Sequence, residues 1–368
     1  MGKAFSIYLD LVRFLAACLV YVYHSNQRLL VSDVLPASNY GHSSVIVFFV
    51  LSGFVIAYIT ATKENKLSSY AASRLSRVYS VVLPTIILTI VLDAVGRQLY
   101  PALYAYPFDK FLTRSFASLL LLNEVWFVSI TSFSNVPFWS ICYELWYYVA
   151  FGIFAFFPRK VAVVLLAVLA LLLGPKIVLL APIWIAGVIL YRWDSLSGMR
   201  ESWAWLLVIA SLVGIVAFHQ AEVTERVAEQ FKLLVGSKWH AEFTFSKFFL
   251  SDYLLALLVF GNFVGMRRIS FRFETALLLI EKPVRFLAGY TFTLYLLHQP
   301  LFLFWAAVIR GDPNGYGYWL WTTAMVALTV GVVGYFTESK RHLVKCRLEH
   351  RFEKFPLRPM FVKQSNNR

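Results

Sequence analysis

Long apolar segments recur along the chain, and this recurrence restricts its possible folds more than any other feature of the sequence. A helix needs about 20 such residues to cross a bilayer at a rise of 1.5 Å per residue. Candidate spans occur at 5–27, 43–62, 78–97, 138–157, 160–174, 176–191, 203–219, 248–265, 286–309 and 318–337. Hydrophobic residues make up 59% of the 368 residues, more than a water-soluble core of this length can bury. The sequence therefore predicts an all-α, polytopic transmembrane helical bundle with about ten spans.

One further apolar segment, at 111–128, does not fit as a span. Arg114 and Glu124 interrupt it, so we expect it to be re-entrant or interfacial. If it does not cross, the loops rich in Lys and Arg all fall on the side of the N-terminus, which the positive-inside rule assigns to the cytoplasm. We therefore predict a multi-pass protein of the bacterial inner (cytoplasmic) membrane with both termini cytoplasmic.

Topology also explains the excess of basic residues, 34 Lys and Arg against 20 Asp and Glu. The cations stand in short clusters between apolar segments, which is typical of membrane loops and argues against a nucleic-acid partner. We expect one membrane domain over 1–340 and a basic cytoplasmic tail over 341–368. The longest external loop, about 220–247, is predicted to be an amphipathic surface helix or a solvated linker helix.

The three cysteines, Cys18, Cys142 and Cys346, are widely spaced and odd in number. This pattern supports neither a disulfide framework nor a zinc site, and no other residue cluster predicts a metal. Chemistry must therefore come from polar residues in or beside the membrane.

The first helix carries three ionisable residues, although each costs roughly 2.5–3.5 kcal/mol at membrane depth. Asp10 and Arg13 are three residues apart and can pair on one helix face. Arg13 and His24 are eleven residues apart, which at about 100° per residue returns to within about 20° of the same direction. One face of this helix is thus predicted to carry Asp10, Arg13 and His24, with the histidine about 16 Å farther from the cytoplasm.

Four more ionisable residues lie in or at the predicted spans. Arg74 and Arg77 are three residues apart where the third helix enters the membrane, and arginine forks suit phosphate oxygens. Positive-inside anchoring explains that pair equally well. Glu144 and His298 are predicted to share the outer half of the bundle with His24, so the three side chains could converge.

Together these motifs resemble the acyltransferase family 3 membrane proteins. Leu9–Ala17 followed by His24 supplies that family's arginine and histidine separated by ten residues. The other matches are Phe48–Phe54, the Arg74 and Arg77 pair, Trp139–Ser140 through Glu144, and Tyr295–His298. Ser80 departs from the pattern, since a proline often follows the arginine pair. No esterase-like domain follows the last helix, so we expect a stand-alone member that acts on exopolysaccharide or lipid-linked oligosaccharide.

The resemblance implies O-acyl transfer, with acetyl-CoA or another acyl-CoA as donor substrate and a saccharide or lipid-linked saccharide as acceptor. It implies no permanently bound cofactor. It places His24 and Glu144 in the catalytic site, Arg13, Arg74 and Arg77 on the donor, and Asp10, Ser52, Trp139, Tyr295 and His298 in support. A neutral imidazole can take the proton of a sugar hydroxyl or carry the acyl group itself. The sequence leaves both routes open.

Other functions use the same residue types. A transporter or flippase of a lipid-linked saccharide would also contain intramembrane Arg, His and Glu, as a proton relay. Two inverted halves with matching broken helices would favour that class, and none is apparent in the sequence. A non-catalytic membrane scaffold would leave the buried charges without a purpose.

Overall fold

The protein is a bundle of helices in a computed structural model that describes residues 1–29, 35–64, 66–193 and 198–352. The helices are α1 (Lys3–Leu29), α2 (Gly41–Lys63), α3 (Leu67–Leu99), α4 (Phe111–Leu119), α5 (Trp139–Phe156), α6 (Arg159–Leu173), α7 (Pro175–Arg192), α8 (Glu201–Gln220), α9 (Val223–Val235), α10 (Ser237–Glu242), α11 (Phe249–Ile269), α12 (Glu274–Leu279), α13 (Glu281–Ala288), α14 (Thr291–Ile309), α15 (Tyr316–Thr337) and α16 (Arg341–Phe352). The described residues form no β-strand, so the predicted all-α class is confirmed.

Eight of the described helices are long and apolar enough to cross a membrane, namely α1, α2, α3, α7, α8, α11, α14 and α15. The two other predicted spans fold as α5 and α6. α6 has 15 residues, about 22 Å at the helical rise, which is shorter than the roughly 30 Å of hydrocarbon. The crossing of α5 and α6 therefore stays a prediction.

Two predicted boundaries differ from the structure. The span expected at 286–309 is broken after Ala288, and α14 begins only at Thr291. The segment at 111–128 contains α4, whose nine residues extend for about 13 Å, too short to cross a bilayer. The rest of that segment is irregular and folds back over the bundle, where the Trp126 backbone N–H donates to the carbonyl of Leu173 at 2.8 Å.

The loop that was predicted to be external, about 220–247, contains α9, so a helix forms there as expected. The tail predicted at 341–368 begins with α16, which packs along α3, and Ser69 Oγ donates to Glu349 Oε1 at 3.2 Å. Residues 353–368 of that tail lie outside the described residues. We use "the basic end" for the end of the bundle where α1 and α3 begin, α2 and α15 finish, and α16 lies.

Helices α2 and α7 make a close backbone contact through two glycines. A Cβ atom on Gly53 would overlap the carbonyl of Trp184, and one on Gly187 would overlap the carbonyl of Val50. Small residues allow helix backbones to approach in this way inside a membrane. The contact matters for the site because Trp184 Nε1 donates to Ser52 Oγ at 3.2 Å, which ties the neighbour of Gly53 to α7.

Candidate functional site

Two adjacent cavities run inward from the basic end, and the inner one extends to Val45 and Ser140 near the opposite ends of α2 and α5. The larger, of about 1220 Å³, is the basic cavity. It is lined by residues of α1, α3, α13, α14, α16 and the turn before α16, which include Asp10, Arg13, Arg77, Arg285, Glu338, Arg341 and His342. The smaller, of about 680 Å³, is the inner cavity, and its lining includes Arg13, Phe48, Ser52, Arg77, Glu144, Tyr148 and Tyr295. Arg13, Arg77, Thr291 and Phe292 line both. The two spaces therefore meet at a pair of guanidinium groups.

Arg13 is held by the carboxylate of Asp10, as the spacing of three residues predicted. Asp10 also accepts from Arg285 Nη1 at 2.9 Å, so one carboxylate joins α1 to α13. Arg285 in turn pairs with Glu281 at 3.0 Å. Hydrogen bonds from Lys3 and Arg285 lower the pKa of Glu281, which keeps this acid ionised beside the basic cavity. The chain of alternating charges fixes the direction of Arg13 before any ligand binds.

Glu144 projects into the inner cavity from α5. Its Oε1 accepts from Ser52 Oγ at 2.7 Å and from the hydroxyl of Tyr148. Tyr148 stands about one helical turn after Glu144, so both side chains lie on one face of α5. Their contact could therefore have been predicted from the sequence. The carboxyl group thus has two hydroxyl donors and shares the cavity with the guanidinium of Arg77.

The two arginines of α3 have different environments. Arg74 is only 4% exposed, pairs with Glu64 and lies over the ring of Tyr70 at 5.2 Å. It lines neither cavity. Arg77 lines both, with its guanidinium 5.9 Å from the ring centre of Phe292. The structure therefore brings Arg77 together with Arg13, and it places Arg74 in a buried pair behind them, where a donor contact stays a prediction.

His24 and His298 come together at the far end of the inner cavity. Their ring centres are 5.2 Å apart, so two of the three side chains expected to converge do lie side by side. Neither lines the described cavities, whereas Tyr295 lines the inner cavity and its ring lies 6.1 Å from that of His298. The Tyr295 hydroxyl is held by Ser140 Oγ at 2.6 Å. Arg13 lines the cavities together with Thr291 and Phe292 of α14, and His24 lies beside His298 of α14, so the two residues predicted to share one face of α1 lie toward the same helix. Tyr295 connects the inner cavity to His298.

The tautomer of His298 is fixed by its backbone contact. Its Nδ1 lies 2.7 Å from the carbonyl oxygen of Tyr295, which can only accept, so Nδ1 carries the proton. In the neutral ring the lone pair is then on Nε2, and this atom has no hydrogen-bond partner among the described residues. The side chain is 1% exposed. A buried nitrogen lone pair therefore lies beside His24.

An irregular segment before α5 anchors the helix that carries His298. Asn135 Nδ2 donates to the carbonyl of Leu296 at 2.7 Å, and Gln299 Nε2 donates to the carbonyl of Ser134 at 2.6 Å. Asp93 of α3 accepts from the backbone N–H and the hydroxyl of Ser134 at 2.9 and 2.6 Å. The Asn135 contact satisfies the carbonyl of Leu296, which Pro300 leaves without its helical donor, and the other contacts fix the position of Ser134. The sequence analysis missed them because they join segments far apart in the chain.

Trp139, a predicted supporting residue, packs among aromatic side chains. Its ring stacks on Phe245 at 4.5 Å and packs edge-on against Tyr143 at 5.2 Å. It lines neither cavity, so its contribution is the packing of α5. By contrast Arg285 and Arg341, first interpreted only as topology-setting charges, do line the basic cavity.

These features define a polytopic membrane protein with an arginine-lined cavity that leads from one end of the bundle toward a pair of imidazoles, the buried His298 and the half-buried His24. Residues 6–338 match the family model described as an acyltransferase domain, acyltransferase family 3. The match covers nearly the whole chain, so the protein belongs to that family and is a membrane acyltransferase. The comparisons with curated proteins and with solved structures gave no significant match.

Proposed function

We propose that this protein transfers an acyl group, acetyl in the simplest case, from cytoplasmic acyl-CoA to a hydroxyl of a saccharide outside the cytoplasm or on a lipid carrier. The observation that carries this proposal is the pair of cavities that meet at Arg13 and Arg77 and end one tyrosine ring from His24 and His298. The positive-inside rule puts the basic end in the cytoplasm, where acyl-CoA is available. The acceptor would then approach the imidazoles from the opposite end.

The two cavities suit the two parts of the donor. The basic cavity offers guanidinium groups to the phosphates of coenzyme A, and arginine binds such oxygens through paired hydrogen bonds. The inner cavity is lined mainly by apolar and aromatic side chains, among them Phe48, Val55 and Phe292, and suits the uncharged pantetheine arm. The thioester would then lie beside Tyr295. Rotation of the Tyr295 ring would give the thioester access to His24.

In the transfer, the C–S bond of the thioester breaks and a C–O bond to the acceptor forms. The hydroxyl proton passes to an imidazole and from there to the departing thiolate, so free coenzyme A and an ester are the products. If His24 carries the acyl group first, His298 Nε2 is the base that takes the proton of the acceptor hydroxyl. If His24 is itself the base, His298 accepts a hydrogen bond from it and stabilises its charged form.

The test follows labelled acetyl from acetyl-CoA into the saccharide fraction of bacterial membranes that contain the chain. We expect His24→Ala to lower the rate about 100-fold or more, the usual effect of losing a positioned acid–base group. His240→Ala is the matched control, since this histidine of α10 lines neither cavity. Full activity of His24→Ala, or equal loss in the control, would refute the assignment.

The acceptor is found separately by mass spectrometry of surface glycans from cells with and without the gene. An added mass of 42 Da, about that of one acetyl ester, on a glycan or its lipid carrier is the expected result. Glycans that differ in amount or location but not in acylation would instead indicate transport of the saccharide.

A further inference from the structure

The start of α16 contributes two cationic residues to the basic cavity. Arg341 and His342 line it, whereas the match to the acyltransferase family ends at 338. α16 lies along the first turns of α3, the helix that carries Arg77. A segment beyond the family-matched domain thus completes the wall of this cavity.

Arg341 differs in its pairing from Arg13 and Arg285, the two ion-paired arginines that line this cavity. Arg13 and Arg285 are bound to Asp10, and Arg74 is bound to Glu64. Arg341 has no hydrogen bond or ion pair from its guanidinium to any residue that the structure describes. Its nearest acid in sequence, Glu338, accepts instead from the backbone N–H and the hydroxyl of Thr293, at 2.5 and 3.1 Å.

The cavity as a whole carries surplus positive charge. Four arginines, Arg13, Arg77, Arg285 and Arg341, face two carboxylates, Asp10 and Glu338. By formal charge this leaves two positive charges, so the cavity attracts anions and attracts a dianion most strongly. A phosphomonoester carries about −1.5 to −2 charges at pH 7.

Position within the cavities indicates which phosphate this would be. Arg13 and Arg77 line both cavities, so they stand where the pantetheine arm would meet the pyrophosphate of coenzyme A. Arg341 and His342 line only the basic cavity, farther from the inner one. In coenzyme A the 3′-phosphate of the ribose lies beyond the pyrophosphate, at the nucleotide end.

We propose that Arg341, assisted by His342, binds the 3′-phosphomonoester of the donor and so distinguishes coenzyme A from carriers that lack this group. The inference rests on the proposed function, because it assigns one part of the same donor. An arginine fork contacts two phosphate oxygens at once, which lysine cannot do.

The test measures binding, so no acceptor is needed. The dissociation constants of coenzyme A and 3′-dephospho-coenzyme A are measured by calorimetry on the purified full-length protein in detergent. We expect Arg341→Ala to weaken coenzyme A about 10-fold to 100-fold, the usual effect of losing hydrogen bonds to a charged group, and to leave the dephospho compound unchanged. Lys345→Ala is the control, because this residue of the same helix pairs with Glu349 at 3.5 Å and lines neither cavity.

Each outcome has one meaning. If Arg341→Ala weakens both compounds equally, or neither, the 3′-phosphate assignment is overturned while the proposed function stands. If the unaltered protein binds neither compound, the proposed function itself fails, and this inference fails with it. If Lys345→Ala has the same selective effect as Arg341→Ala, general charge of α16 rather than a specific contact is responsible, and the assignment is overturned.

Discussion

Replacement of Lys176 by methionine should destabilise the protein strongly, although this lysine lies outside the candidate site. Lys176 and Glu124 form a buried ion pair, 0% and 2% exposed, with Nζ and Oε2 2.5 Å apart. Nζ also donates to the carbonyl of Val128 at 2.7 Å and to Thr244 Oγ1 at 3.3 Å. All three protons of the ammonium group are therefore used.

The expected loss of stability follows from the groups that the substitution leaves without a partner. In Lys176→Met the Glu124 carboxylate keeps only hydroxyl donors, Ser129 at 2.7 Å and Thr244 at 3.0 Å, and no counter-charge. Breaking a buried pair in this way costs about 3–5 kcal/mol, while replacing both partners by neutral residues is close to neutral. We therefore expect Lys176→Met to lower the free energy of unfolding by about 4 kcal/mol, and the double variant with Glu124→Gln to regain most of it.

The assay is equilibrium unfolding in detergent, followed by tryptophan fluorescence. Lys232→Met is the control, because its pair with Glu229 is exposed, and such pairs contribute about 0–1 kcal/mol. A Lys176→Met protein within about 1 kcal/mol of the unaltered protein would refute the reasoning. A double variant no more stable than the single one would refute it too. Because the pair is structural, the double variant should also retain acyl transfer.

Two further changes test the packing and the imidazole pair. Gly53→Val should lower the free energy of unfolding by about 1–3 kcal/mol and reduce acyl transfer, since the added atoms overlap a backbone carbonyl of α7. The control, Gly331→Val, changes a glycine with open space around it and should alter neither stability nor transfer. Equal stability of the two variants in the same unfolding assay would contradict this account. His298→Gln should lower kcat about 100-fold and leave KM for acyl-CoA unchanged, because this ring lies beside His24 and does not line the donor cavities. Steady-state kinetics with labelled acetyl-CoA measures both constants. A raised KM at constant kcat would indicate that His298 contacts the donor instead.

The fold class followed from the sequence because a bilayer accepts few structures. Backbone groups in hydrocarbon must be satisfied within the segment, so a long apolar run can only be a helix. The boundaries followed less well, since the break between Ala288 and Thr291 lies inside an apolar stretch and depends on how α13 turns along the surface. The shortness of α6 likewise follows from its glycine and proline boundaries, not from its apolar composition.

Part of the candidate site was also predictable. Helical spacing correctly paired Asp10 with Arg13 and turned Arg13 and His24 toward the same neighbour, because angles within one helix are fixed. The spacing of Glu144 and Tyr148 carried the same kind of signal. Contacts between helices, such as that of Tyr295 with Ser140, had no signal in a single sequence.

By itself, the sequence determined that this protein spans a membrane as a bundle of helices. It also located the charged residues within the spans, whose burial is costly unless they are paired or functional. Only the tertiary structure decided which of these charged residues form ion pairs and which line a cavity. It enclosed Lys176 with Glu124 and Arg74 with Glu64 as neutralised pairs, and it turned Arg13, Arg77 and Arg341 into a shared cavity. Periodicity fixes the direction of a side chain within its own helix, but the partner it meets depends on how the helices are packed against one another.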